Sequence, residues 1–288
     1  ASASIAAASV VGENDEPVDT TLPLEEEDDV WVTSQGKFKF KLEDLPPQLQ
    51  VVYILLTRLS KTKDGDEVYH ICLCLKFLVL HGEALAQTAH IHKGLLLWCQ
   101  ENVTISTTWS LICAEWSHVA EVCVALLLHY ISLPDGSDIF WKLCENHFNH
   151  SDWRVRFQAV EKVVVIGRFL NVGIMRQCRP LQAAVSHAFC YLVASLDDVD
   201  VAIAQRAALG LTSLPDQGIK ALVWCLEQQF DWVILDRPMI IQTIHQLCSC
   251  IPDRKVITWD FFFNRFDSLY LESQVTLENR GEFYTKPR

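Results

Sequence analysis

Apolar positions recur at helical spacing along most of this chain. Leu49, Val52, Tyr53, Leu56 and Leu59 fall at offsets 0, 3, 4, 7 and 10, which places them on one face of a helix opened by Pro46-Pro47. After the turn Lys63-Asp64-Gly65-Asp66 the pattern repeats at Val68, Ile71, Cys72, Leu75, Leu78 and Val79, so the two segments predict a helical hairpin. Residues 82–118 parse less sharply, into helices over Ile91 to Glu101 and Thr107 to His118. Val119 to Ser132 reads as a deeply buried helix stopped by Pro134-Asp135-Gly136. Three further hairpins follow: Asp138 to Phe148 with Asp152 to Leu170, Gln182 to Leu196 with Val201 to Leu214, and Gln217 to Phe230 with Arg237 to Cys250. Their connections of three to six residues force antiparallel neighbours. A last helix, about Thr258 to Leu277, carries Trp259, Phe262, Phe263, Phe266 and Tyr270, and its free end needs another unit or a cap.

Within this pattern a unit repeats. Asp152, Asp200 and Asp236 each open a helix; Val155, Ile203 and Met239 follow three places on, then small Ala159, Ala207 and Thr243, then Val163, Leu211 and Leu247. The starts lie 48 and 36 residues apart, the repeat length of all-α solenoids of the HEAT/armadillo kind, whose units supply each other's core. An Asp at the opening accepts hydrogen bonds from first-turn amides, a contribution of roughly 0.5–2 kcal/mol. A small residue lets neighbouring helices approach. One Asp per repeat puts these carboxylates about 10 Å apart, too far for a shared catalytic set.

The first 36 residues break the pattern. They hold nine acids and no Lys or Arg, with Glu25-Glu26-Glu27-Asp28-Asp29 at their centre, and too little apolar surface to offset chain entropy. The expectation is a disordered acidic tail over 1–36 and a solenoid over 37–288, with Lys37 to Leu42 as a short strand or an extended lead-in. The tail accounts for much of the net charge of −12, leaving 27 acids against 24 bases beyond it. No basic field for nucleic acid is present. The chain opens without Met, and Ala1 to Val11 lacks a basic leader region, so it is expected to be an excerpt of a longer protein. Its longest apolar run, Val122 to Leu128, is far short of the ~20 residues that span a bilayer.

Eleven cysteines are scattered through apolar helical stretches, where a reduced thiol acts as a compact hydrophobe, and this points to a cytosolic setting. Cys72/Cys74 and Cys248/Cys250 point to opposite sides of their helices and complete no zinc-site spacing, so neither metal nor other cofactor is expected. A thiol nucleophile would need a His within hydrogen-bond reach, which spacing alone does not provide. With 11 glycines and no phosphate loop, nucleophile elbow or zinc-protease helix, the chain reads as a non-enzyme. Arg154, Arg156, Lys162 and Arg168, continued by Arg176 and Arg179, form a basic run. It reads first as a solvated face paired with Glu161 and other acids, and second as a patch for an acidic partner segment or anionic lipid headgroups.

Several ordered stretches carry a family resemblance: Cys74 to Glu83, Ser132-Leu133-Pro134-Asp135-Gly136 through Trp141, Asp152-Trp153-Arg154-Val155-Arg156-Phe157 through Val163, His187 to Cys190, Asp236-Arg237-Pro238 and Asn264-Arg265-Phe266. In order, from about Phe38 to Phe283, they resemble the uncoordinated-seventy-nine family, large auxiliary subunits of a sodium-leak channel. Residues 1–36 fall outside the match, and Gln87 to Thr108 follows it poorly. The resemblance implies a cytoplasmic α-solenoid, peripheral to the plasma membrane through the channel. Its partners would be a second large helical-repeat subunit and the channel's intracellular side, and its role would be to support assembly, placement and activity. No catalytic residue is implied. The competing reading of the residues is a generic HEAT-type adaptor or transport-receptor solenoid.

Overall fold

The structure is a computed structural model. It describes residues 16–17, 30–112, 117–176, 178–231 and 237–254, with Phe263, Phe266, Tyr270, Leu271, Gln274 and Val275 beyond them.

The chain enters through a small antiparallel sheet. β1 (Glu16–Pro17), β2 (Val30–Thr33) and β3 (Gly36–Lys39) lie in the order β1-β3-β2, with Trp31 opposite Phe38 and Glu16 opposite Lys39. The hairpin turn needs Gly36, whose φ of +138° disfavours a side chain. This corrects the boundary drawn at residue 36, because ordered structure already includes 30–33. Trp31 is the reason. Its ring stacks on Phe40 at 4.8 Å and meets Trp98 and Tyr53 edge-on at 4.6 and 5.6 Å, while its Nε1 donates to the Phe40 carbonyl at 3.1 Å. One aromatic in an acidic stretch thus finds a half-buried seat. Phe38 lies so close to Gly94 that a Cβ there would meet its ring at 2.5 Å.

Helices follow throughout. α1 (Pro47–Leu59) has Pro in its first turn and buries Leu49, Val52, Leu56 and Leu59. α2 (Gly65–Leu75) is capped by Asp64, which accepts from the Asp66 amide, and runs on through a π-helical stretch to His81. Residues 82–112 differ from the expected pair of helices. α3 (Ala84–Ile91) comes first; α4 (Lys93–Cys99), a π-helical stretch over Gln100–Thr104 and α5 (Ile105–Leu111) then form one continuous helix. Thr104 and Thr108 sit buried in it, donating to the carbonyls of Cys99 at 3.2 Å and Thr104 at 2.6 Å. Those back-bonds satisfy hydroxyls that blur the apolar period in sequence.

α6 (Ser117–Ser132) is the central helix, burying Val119, Cys123, Leu126, Leu127 and Tyr130 among others. It packs on α2, α5 and α7 (Gly136–Phe148). α8 (Trp153–Phe169), short α9 (Val172–Met175), α10 (Arg179–Ala194), α11 (Val201–Ser213), α12 (Asp216–Asp231) and α13 (Arg237–Cys250) complete the stack. α7, α10 and α12 lie side by side in one layer, and α8 and α11 in a second, with α13 on α10. Packing between like helices of successive units is more extensive than between the two helices of the α10/α11 or α12/α13 hairpin. That is how a solenoid builds one core from repeats, and here the core runs unbroken from Leu45 to Ile251. The fold is an all-α solenoid with a β-hairpin at its entrance. Of the expected last helix, the six described positions are helical and the rest lie outside the described residues.

Candidate protein-binding surface

Asp152 caps α8 by accepting from the Arg154 amide at 2.9 Å, and Asp200 caps α11 by accepting from Ala202 at 2.9 Å. Ala159 and Ala207 are fully buried, as is Leu247, and Thr243 is nearly so. Asp236 lies outside the described residues.

The basic run does not form one patch, which corrects the reading of Arg154, Arg156, Lys162 and Arg168 as a single surface. Positions 154 and 156 point about 200° apart on a helix, so a dense run of bases divides between its faces. Arg156 turns toward the next repeat. Its Nε and Nη2 donate to the two oxygens of Asp198 at 3.0 Å each, and its Nη1 donates to the carbonyls of His150 at 2.8 Å and Ser151 at 3.3 Å. Asp198 also accepts from the Asp200 amide at 2.9 Å. Desolvation pushes the Asp198 carboxyl up, but the Arg156 hydrogen bond, the Asp200 amide and the guanidinium charge together outweigh it and hold it below its ordinary value. The same pairing raises Arg156. Lys162 is buried, with its Nζ over the Trp109 ring at 5.2 Å. Only Arg154 and Arg168 remain outward.

Those two share a face. They are fourteen residues apart, close to four whole turns, and so line the outside of α8 over roughly 21 Å. Arg154 lies over the exposed Trp153 ring at 5.4 Å. Since α11 packs alongside α8, its outward Val201 and Leu209 and the preceding Val199 extend the same surface, at 66, 63 and 95% exposure. The result is a cationic and apolar face on two adjacent repeats. Sequence reasoning named its Arg residues but missed its apolar part, because Val201 and Leu209 are individually indistinguishable from core positions.

The junction beneath was also unread. Gly167, Gly210 and Gly218 sit where helices of successive repeats touch: an added Cβ would stand 2.9 Å from Leu214, 2.4 Å from Val164 and 2.1 Å from the Gly167 carbonyl. Glycine inside a helix is unfavourable by about 1 kcal/mol against Ala, so glycines recurring in helical segments were a usable sign of close packing.

Cys72 and Cys123 touch at 3.7 Å but are wholly buried, and burial pushes Cys99 and Cys225 up to about 12. No group of three or more His, Cys, Asp or Glu among the described residues is arranged to hold a metal. An open groove of about 520 Å³ on the first hairpin is lined by Tyr53, Ile54, Arg58, Lys61 and Glu67, with Arg58 and Glu67 already paired at 2.5 Å. No single helix among the described residues is long and apolar enough to cross a membrane.

No family model matches the chain. Among solved structures it is similar to an engineered protein, at 16% identity and a TM-score of 0.24 over 70% of this chain and 97% of that one. A second engineered protein gives 16% and 0.23 over 70% of this chain and 60% of that one. A designed armadillo repeat protein in complex with the peptide (KR)4 gives 14% and 0.24 over 71% and 99%. Scores this low carry no argument, so the solenoid assignment rests on the helix packing described above.

Proposed function

We propose that this chain is a non-enzymatic scaffold segment that works by presenting stacked helices to other proteins, and that it belongs to the uncoordinated-seventy-nine family of sodium-leak channel auxiliary subunits. The observation that carries the scaffold reading is the two-layer stack with its outward face of Trp153, Arg154, Arg168, Val201 and Leu209. Such a face, aromatic and cationic at fixed spacing, suits an acidic partner segment with apolar residues. The family reading rests on the ordered motifs from Cys74 to Phe266. Its partners would be the second large helical-repeat subunit and the channel, and its place the cytoplasmic side of the plasma membrane, with peripheral membrane contact through the outward Arg residues.

The test is recovery of channel components from neuronal membranes on the tagged chain, compared with an Arg154→Glu/Arg168→Glu variant. Recovery by the wild type and its loss in the variant are expected. Equal recovery by both would remove this face from the interface; recovery by neither would overturn the channel assignment.

A further inference from the structure

Cys72 on α2 and Cys123 on α6 meet in the interior with their Sγ atoms 3.7 Å apart, and neither is exposed to solvent. The two helices pack on each other, although fifty-one positions of sequence separate the pair. Sulfurs in contact already point at each other, the condition that separates a closable pair from one that is merely near. The Tyr130 hydroxyl, wholly buried and without a hydrogen-bond partner among the described residues, lies within electrostatic reach of both. A buried donor left unpaired calls for an explanation.

We propose that Cys72 and Cys123 form a redox modification site, which hydrogen peroxide closes into a disulfide that ties the first helical hairpin to the central helix. Closure brings the sulfurs about 1.7 Å nearer, to the ~2.05 Å of the bond. One thiol, as its thiolate, attacks the peroxide; the O–O bond breaks, a sulfenic acid forms, and the departing hydroxide takes up the thiol's proton as water. The second sulfur attacks the sulfenic sulfur, the S–O bond breaks, and a second water leaves with the second proton. Two thiols thus lose two electrons, and one peroxide becomes two waters. The Tyr130 hydroxyl is the donor available to the transient thiolate, which gives that unpaired group a use. Burial sets the pace. The Cys72 hydrogen bond and desolvation hold the Cys123 thiol well above its ordinary value, so its thiolate is scarce, and peroxide reaches it only as the helices open locally. The same burial shields the product from reducing thiols, and a disulfide carries no charge into the apolar interior. The site therefore answers sustained oxidation and passes over brief exposure, unlike the exposed Cys74 and Cys248. The inference is independent of the channel assignment, since it concerns the chain alone.

Prolonged treatment of the full 288-residue chain with hydrogen peroxide, followed by acid quench and non-reducing peptide mapping, tests it. A Cys72–Cys123 linked peptide is expected, lighter by about 2 Da than its two reduced parts. Because the bond closes a loop across fifty-one positions, the linked chain should melt about 5–15 °C higher, and a reductant added after unfolding should remove the gain. Cys72→Ala and Cys123→Ala should each abolish the link and the shift, while Cys74→Ser/Cys248→Ser should keep both. Absence of the linked peptide once Cys74 and Cys248 are oxidised, a link from either buried thiol to Cys99 instead, or a linked chain that melts no higher would each overturn the proposal.

Discussion

Arg156→Ala removes a four-bond polar tie between two repeats, and its consequence can be worked from the contacts. The guanidinium makes two hydrogen bonds to Asp198 and two to the carbonyls of His150 and Ser151, joining the turn before α8 to the turn before α11. Arg156 and Asp198 side chains are 14 and 12% exposed, so the pair lies between surface pairs, worth about 0–1 kcal/mol, and fully buried ones, whose breaking costs about 3–5. A loss of about 2–3 kcal/mol follows, a fall in melting temperature of about 4–10 °C for a chain of this size. The pH dependence has a definite sign. Asp198 is held below its ordinary value of 3.8, so the pair's stabilisation is complete above that value and is lost as pH falls through the lower, folded one. Denaturant unfolding of wild type, Arg156→Ala, Asp198→Ala and the double variant at pH 7 should give a coupling of at least 1 kcal/mol that vanishes in strong acid. A coupling under about 0.5 kcal/mol at pH 7, or one that persists unchanged in acid, would refute the reasoning.

Three further outcomes are expected. Ala159→Asp places an unpaired charge at a fully buried position and should cost several kcal/mol, unfolding the repeat in a thermal melt; an unchanged melt would mean that the helix phase is wrong. Gly210→Val pushes a side chain into Val164, whose Cγ2 would be 2.4 Å from the new Cβ, and should destabilise by about 1–3 kcal/mol in denaturant titration. Trp31→Ala should raise hydrogen exchange of the β2–β3 hairpin by at least tenfold and leave α8 to α11 protected, since among the described residues its aromatic contacts are with Phe40, Tyr53 and Trp98 at the entrance of the stack.

The helical stack was legible because its signals are local. A period of 3.6, an Asp at each opening and a small residue seven places on are all read within one helix, and they placed α7, α8 and α10 to α13 within a few residues. What escaped depends on distant neighbours. Lys162 has the sequence appearance of a solvated base, yet Trp109, fifty-three residues earlier, supplies a ring that lets it sit inside. Arg156 and Asp198 are forty-two residues apart with no local pattern linking them. Of the hairpin at residues 30–39 the second strand overlaps the short strand offered at Lys37 to Leu42, but the first was missed because one Trp in an acidic stretch gives no period, and its seat on Trp98 and Tyr53 exists only once α1 and α4 are folded.

These misplacements share a cause that bears on function. Polar and charged groups at the repeat junctions are taken up in fixing the register of repeats: Arg156 with Asp198, Arg206 with Glu161 at 3.1 Å, Gln246 with Asp197 at 2.5 Å, and Arg254 with the Leu214 carbonyl at 2.6 Å. Each spans two units, so together they pin successive helices at about 10 Å and resist sliding of one repeat over the next. The outward face of α8 and α11 is then a rigid array, and a partner that matches its spacing loses little freedom of the scaffold on binding. Charge reversal at Arg154 should therefore weaken a partner without loosening the stack, whereas charge reversal at Arg156 should do both. That difference separates a binding residue from a registering one, although the two stand two positions apart in the sequence.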